Sequence, residues 1–136
     1  MMISPHPIMA KYYSLVPLPQ GRFENLSLLD RAVFGLIYER WRLSEYNVLG
    51  TPGDSPWYDF DEDAVFCMFS HDELCRLIGT SEKTIRRSLI ALRDQHHMIS
   101  WKKASFMGAC RYYIEPGMIR EMAALRQDSR KNDECP

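Results

Sequence analysis

One stretch of this chain, from Ser70 to Ile114, leaves few folds open. Its first part, SHDELCRLIGTSEKTIRRSLIAL, reads as two short amphipathic helices joined by a tight turn. Ser70 precedes Glu73 at capping-box spacing, where a serine hydroxyl takes up an orphan backbone N–H of the first turn. Leu74, Leu77 and Ile78 share one face of the helix that follows. Gly79 accepts the left-handed backbone that stops a helix, and Ser81 can cap the next one. In that second helix Ile85, Leu89 and Leu92 follow the i, i+4, i+7 rule and must face a core. At about 100° per residue the far side carries Lys83, Arg87 and Ile90, flanked by Thr84 and Arg86. This is the pattern of a helix-turn-helix whose second helix offers a duplex a cationic outer side.

The next segments, WKKAS and CRYYIE, are β-rich and are split by Phe106, Met107 and Gly108. They predict a hairpin. A helix-turn-helix followed by a hairpin resembles the winged-helix class. The expected fold is therefore α+β: three or four helices, a β-hairpin wing and a short N-terminal strand. Between Glu82 and Arg111 stand the cations Lys83, Arg86, Arg87, Arg93, Lys102, Lys103 and Arg111 against the acids Glu82 and Asp94. Seven minus two leaves a local excess of plus five on a chain whose formal net charge is -1. That contrast predicts a basic patch opposed to an acidic one rather than a surface that binds nucleic acid everywhere.

At 136 residues there is room for one domain with a substantial core. No apolar run approaches the roughly 20 residues that span a bilayer. Met1 to Ala10 lacks a charged leader region and contains two prolines, so no signal peptide is expected. The expected location is the cytoplasm. Cys67, Cys75, Cys110 and Cys135 form no CxxC pair and have no histidine at ligand spacing. They read as reduced thiols, Cys67 and Cys75 packed, with no metal or cofactor expected.

Taken in order, residues 1–24 read as an N-terminal arm. Within it Met1 to Pro7 is a loose terminus, and Lys11 to Leu18 an apolar edge strand covered by its own domain or by a second subunit. Residues 25–115 form the DNA-binding domain. Asn25 to Tyr46 predicts a long helix capped by Ser27, with Leu29, Val33, Leu36, Ile37 and Leu43 as its stripe. Phe34, Tyr38 and Trp41 widen that stripe, so the helix is expected to touch more than one neighbour. Asn47 to Pro56 predicts a loop. Trp57 to Asp63 (WYDFDED) predicts a solvated acidic turn, because its carboxylates lack the spacing of a calcium loop. Ala64 to Phe69 predicts a buried strand. No Lys or Arg occurs from Glu45 to Glu73, so this side should be acidic and face away from DNA. Residues 116–127 predict a C-terminal helix opened by Pro116, with Met118, Met122 and Leu125 as its stripe. Residues 128–136 read as a frayed polar tail.

With the front half in place, YYSLVPLP, NLSLLDRAVFGLIYERWRLSEYN and WYDFDEDAVFCMFSHDELCRLIGTSEKTIRRSL together resemble the N-terminal domain of replication initiator protein A of Gram-positive plasmids, the RepA-N family. The matching residues are Tyr13, Pro17, Leu26, Ser27, Phe34, Gly35, Arg40, Leu43, Ser44 and Asn47, and the likeness spans roughly Tyr12 to Ile114. It implies sequence-specific binding of repeated sites at an origin, as a homodimer. Host replication proteins would be engaged through a further C-terminal region. The contact positions implied are Ser81, Lys83, Thr84, Arg86 and Arg87 on the recognition helix, with Lys102, Lys103 and Arg111 on the wing. The chain departs from the pattern where winged helices commonly place a glycine after the recognition helix. Here His96-His97 stands, with one extra residue before Met98-Ile99. Histidine tolerates the left-handed region better than most residues.

A transcriptional regulator on a palindromic operator, and a winged helix used only for protein contacts, would share this architecture. Catalysis is not expected: His71, His96 and His97 lie at helix ends without a partnering Ser or Cys nucleophile.

Overall fold

The computed structural model describes residues 16–50, 55–104 and 108–133, with side-chain surroundings as far as Arg126. The chain enters as bends at Val16 to Gln20 and a single 3-10 turn, Gly21–Phe23, which tucks the Phe23 ring 5.6 Å from that of Phe34. The edge strand expected over Lys11 to Leu18 is not formed at Val16 to Leu18, where Arg31 instead donates to the Pro17 carbonyl at 3.1 Å. Lys11 to Leu15 and the terminus before it lie outside the described residues.

Helix α1, Leu28–Gly50, begins where the sequence places its cap: Ser27 Oγ accepts from the Asp30 N–H at 3.1 Å. Val33, Phe34, Ile37, Tyr38 and Trp41 bury one side of it. The helix continues through Asn47 to Gly50, which the sequence reading assigns to a loop. The Asn47 amide finds an acceptor inside the helix, the Leu43 carbonyl at 3.3 Å, and no proline intervenes. Leu43, expected in the inward stripe, faces solvent instead.

The expected strand Ala64 to Phe69 is two strands serving two sheets. Strand β2, Ala64–Val65, pairs antiparallel with β1, Tyr58–Asp59. Strand β3, Cys67–Ser70, joins the main sheet. The break falls at Phe66, and the Trp41 indole holds the Val65 carbonyl at 3.0 Å. The main sheet has the order β3-β5-β4, with β4 at Ile99–Lys103 and β5 at Ala109–Ile114. Cys67 lies opposite Tyr112 and Trp101 opposite Tyr112, so these residues, with Phe69, Ile99 and Ile114, share the face turned to the helices. Met68, Arg111 and Lys102 share the other face. Between β3 and β4 run α2, His71–Ile78, and α3, Glu82–Ile90. This is the arrangement of a winged helix-turn-helix.

One core joins these parts. Leu74, Ile85, Leu89, Leu92, Tyr112 and Met118 are all sealed from solvent within it. Arg40 ties α1 to the sheet and to α2. It donates to the Met68 carbonyl at 3.0 Å, pairs with Glu73 at 2.8 Å, and lies 3.6 Å over the Phe69 ring. That guanidinium holds the Glu73 carboxyl below its ordinary range. Helix α4, Pro116–Asp133, starts at the expected proline and runs past Asp128, where the sequence reading expects a frayed tail. Met118 is buried, Ile119 and Met122 pack on the core, and Arg126 donates to the Tyr38 hydroxyl. Leu125, expected in the packed stripe, is exposed.

Candidate nucleic-acid interface

Local chemistry sets both helices of the helix-turn-helix. Ser70 accepts from the Glu73 N–H at 3.0 Å, and Gly79 at φ +83° ends α2 with its own N–H 2.7 Å from the Cys75 carbonyl. Ser81 accepts from the Thr84 N–H at 3.3 Å, while the two hydroxyls lie 3.0 Å apart. Helix α3 presses Ile85, Ser88 and Leu89 into the core. The Ser88 hydroxyl donates to Asp30 at 2.6 Å and so fastens α3 to the first turn of α1. Sequence reasoning missed that bond. Its one signal was a serine falling on the apolar side of a helix, where a buried hydroxyl requires a partner.

The outer side of α3 carries Lys83, Arg86, Arg87 and Ile90, all exposed. Arg86 pairs with Glu82 at 2.5 Å, an i, i+4 surface pair. Among the described residues Lys83 and Arg87 form no ion pair. Ser81 is exposed and Thr84 half-buried at the same helix start.

After Ile90 the chain makes a π-helical turn, Ala91–Gln95, with the His96 N–H 3.0 Å from the Ala91 carbonyl. A π turn holds one more residue than an α turn, so it takes up the extra residue noted before Met98-Ile99. His97 then stands at φ +51°, in the left-handed position where a glycine is common. The turn thus survives without glycine. Arg93, just after α3, lies 4.2 Å over the Trp101 ring of β4 and pairs with Asp94 at 2.8 Å. That pairing raises the basicity of Arg93 and lowers the Asp94 carboxyl below its usual range.

The wing divides its cations between two faces. Lys103 is exposed and shares the helix-side face of the sheet with Trp101, by strand alternation. Lys102 and Arg111 point to the opposite face, where the β1–β2 hairpin covers them. Asp59, only 4% exposed, accepts there from Lys102 Nζ at 2.6 Å, from the Tyr113 hydroxyl at 2.6 Å and from Arg111 at 3.4 Å. The backbone N–H groups of Asp61 and Glu62 donate to its other oxygen at 3.0 and 3.2 Å. Lys102, then Tyr113, hold the Asp59 carboxyl far below the ordinary carboxylate range, and Asp59 in turn raises Lys102. Arg111 also lies 4.4 Å over the Phe66 ring.

One expectation is corrected here. WYDFDED is not a wholly solvated turn: it is a hairpin whose Asp59 is buried because donors converge on it. Lys102 and Arg111, expected on the wing, lie on the face of the sheet away from α3 and pair with Asp59. Adjacent residues of a strand point to opposite faces, so Lys102 and Lys103 stand on opposite sides of the sheet. The acidic hairpin does sit on the side away from α3, as the charge distribution implies. Among the described residues no group of three His, Cys, Asp or Glu side chains could hold a metal ion. Cys67, Cys75 and Cys110 are free thiols, and burial pushes the Cys67 thiol up to about 12. No described helix is long and apolar enough to cross a membrane.

No known family model and no curated protein matches this sequence. Two solved structures match in fold. The chain is similar to an N-terminal domain of a DNA binding protein, with a TM-score of 0.57 and 14% identity over 100% of this chain and 98% of that one. It is also similar to a chain in a structure of a Rep-DNA complex, with a TM-score of 0.51 and 14% identity over 93% of this chain and 86% of that one. At that identity the likeness is one of fold.

Proposed function

We propose that this chain binds double-stranded DNA sequence-specifically, as the N-terminal domain of a plasmid replication initiator acting on repeated sites at an origin. The observation that carries the reading is the outer side of α3. Lys83 and Arg87 stand there exposed and without ion pairs among the described residues, on a helix fixed at its start by Ser81 and from below by Ser88. Arg87 and Lys83 read base edges in the major groove, where an arginine fork can take guanine O6 and N7 together. Ser81, Thr84 and the α3 N-terminus hold a phosphate. Arg86 and Lys103 contact the backbone. Lys102 and Arg111 shape the wing through Asp59 and leave the phosphates to Lys103.

The initiator role is supported by the sequence resemblance and by the fold shared with a chain of a Rep-DNA complex. The partners are origin DNA, a second copy of the chain, and host replication proteins through a further region; the location is cytoplasmic. No catalysis and no cofactor enter. Selection of bound sites from a random DNA pool, followed by footprinting, tests the reading. Tandem repeats are expected. A lone palindrome would make the protein a transcriptional regulator, and absence of salt-sensitive binding would leave a protein-interaction module.

A further inference from the structure

Helix α3 is cationic along its exposed side except at its first residue. Glu82 is the single acid of the helix, and its side chain is 59% exposed. An acid in the first turn suits the helix dipole wherever its carboxylate points. Here the carboxylate is held in one orientation. Its Oε1 accepts from Arg86 Nη2 at 2.5 Å, one turn on in the same helix. The same oxygen lies 3.7 Å from Nδ1 of His71, the first residue of α2. Among the described residues Oε2 has no partner.

An ionised carboxylate accepts hydrogen bonds and donates none, so it cannot serve a phosphate. The N-terminal residues of a recognition helix are the ones that meet base edges in the major groove. The donors exposed on those edges are exocyclic amino groups, N4 of cytosine and N6 of adenine. Adenine sets its N7 acceptor beside N6, and that lone pair repels the oxygens of a carboxylate. Cytosine has no acceptor beside N4 on its own groove edge.

We infer that Glu82 is a specificity-determining residue: its Oε2 accepts from the N4 amino group of a cytosine, while Arg86 holds the carboxylate through Oε1. Arg86 keeps Nε and Nη1 for a phosphate, so holding Glu82 is compatible with its backbone contact. Where the groove offers only acceptors, guanine O6 and N7 or thymine O4, Glu82 opposes binding. Discrimination then comes from rejection as well as attraction: Lys83 and Arg87 draw the duplex in, and Glu82 turns away the wrong base.

The inference rests on the DNA-binding reading above and adds one base to it. The test compares the sites that the parent, Glu82→Gln and Glu82→Ala, each as the full chain, select from a random DNA pool. The parent is expected to prefer cytosine at one position by about tenfold over the other bases. Glutamine keeps an oxygen for Arg86 but brings an amide that pairs with adenine N6 and N7 together. Glu82→Gln is therefore expected to change that position from cytosine to adenine and to leave the rest of the site as in the parent. Glu82→Ala should accept all four bases there and bind random DNA at least as tightly as the parent. The substitutions fall at an exposed position, and a thermal scan checks that both variants stay folded. Selected sites that are the same for all three proteins overturn the role of Glu82 alone. So does a loss of preference spread evenly over the site, which would leave Glu82 a support for Arg86. A parent that selects no site overturns the DNA-binding reading and this inference together.

Discussion

Lys102 and Lys103 are neighbours on opposite faces of the sheet, and the difference is measurable. Each phosphate that a protein cation neutralises steepens the fall of log affinity with log salt by about 0.9. Lys103→Ala is expected to flatten the slope by that amount, and Lys102→Ala to keep the slope of the parent. Arg87→Ala should cost about 1–3 kcal/mol on the selected site and relax the preference at one base pair. Equal affinity and selectivity for that variant in a competition gel shift would remove α3 from the groove. Asp59 carries a stability prediction. Hydrogen bonds to a charged group contribute about 1.5–3 kcal/mol. Because Lys102 and Arg111 remain partly exposed, Asp59→Asn should cost about 2 kcal/mol in urea unfolding at neutral pH. The folded carboxyl titrates below the roughly 3.9 of an unfolded aspartate. Its stabilisation is therefore full above that pH and is lost as pH falls through the folded value. The gap between parent and variant should hold from neutrality to about pH 4 and narrow only below it. The burial of Asp59 was not legible in the sequence. Which of several adjacent carboxylates is buried depends on a sheet contact more than forty residues away in the chain.

Among the elements, those governed by local chemistry were the legible ones. Ser27, Ser70, Ser81 and Gly79 all terminate helices where their spacing predicts, and the wing strands lie where WKKAS and CRYYIE stand. The π turn was not legible as such, although its cause was: one residue too many between Leu92 and Met98, and a histidine where a glycine is usual. Left-handed backbone costs a residue with a Cβ about 1–2 kcal/mol, so His97→Gly should stabilise the protein by about 1 kcal/mol and raise its melting temperature. A β-branched His97→Val should do the opposite. Loss of the Ser81 cap in Ser81→Ala should cost about 1 kcal/mol, read in the same thermal scans. The errors of extent, α1 past Tyr46 and α4 past Asp128, share a physical source. Polar residues are compatible with loop and exposed helix alike, and only a proline or a left-handed residue marks the end unambiguously. The edge strand expected at Val16 to Leu18 failed for a different reason: its carbonyl at Pro17 is satisfied by Arg31 rather than by a neighbouring strand.

For the whole molecule, the charge division seen in the sequence has a spatial counterpart. The β1–β2 hairpin lies behind the sheet, and the exposed cations of α3 and the wing lie in front. Four of them, Lys83, Arg86, Arg87 and Lys103, remain as candidate phosphate and base contacts on the described surface. With Arg86 and Lys103 on phosphates, a salt slope of about -2 per bound copy is expected, against about -4 if Lys102 and Arg111 also touched phosphate. Titration of the selected site over a range of salt concentrations distinguishes the two values. The cationic outer side of α3 was legible in the sequence, but how that helix is aimed was not. Its aim depends on a clasp between Ser88 and Asp30, neither of which is cationic. With Ser88→Ala the row of Lys83 and Arg87 loses its fixed angle to α1. The variant is expected to keep the parent's affinity for random DNA while its preference for the selected site falls, read in a competition gel shift.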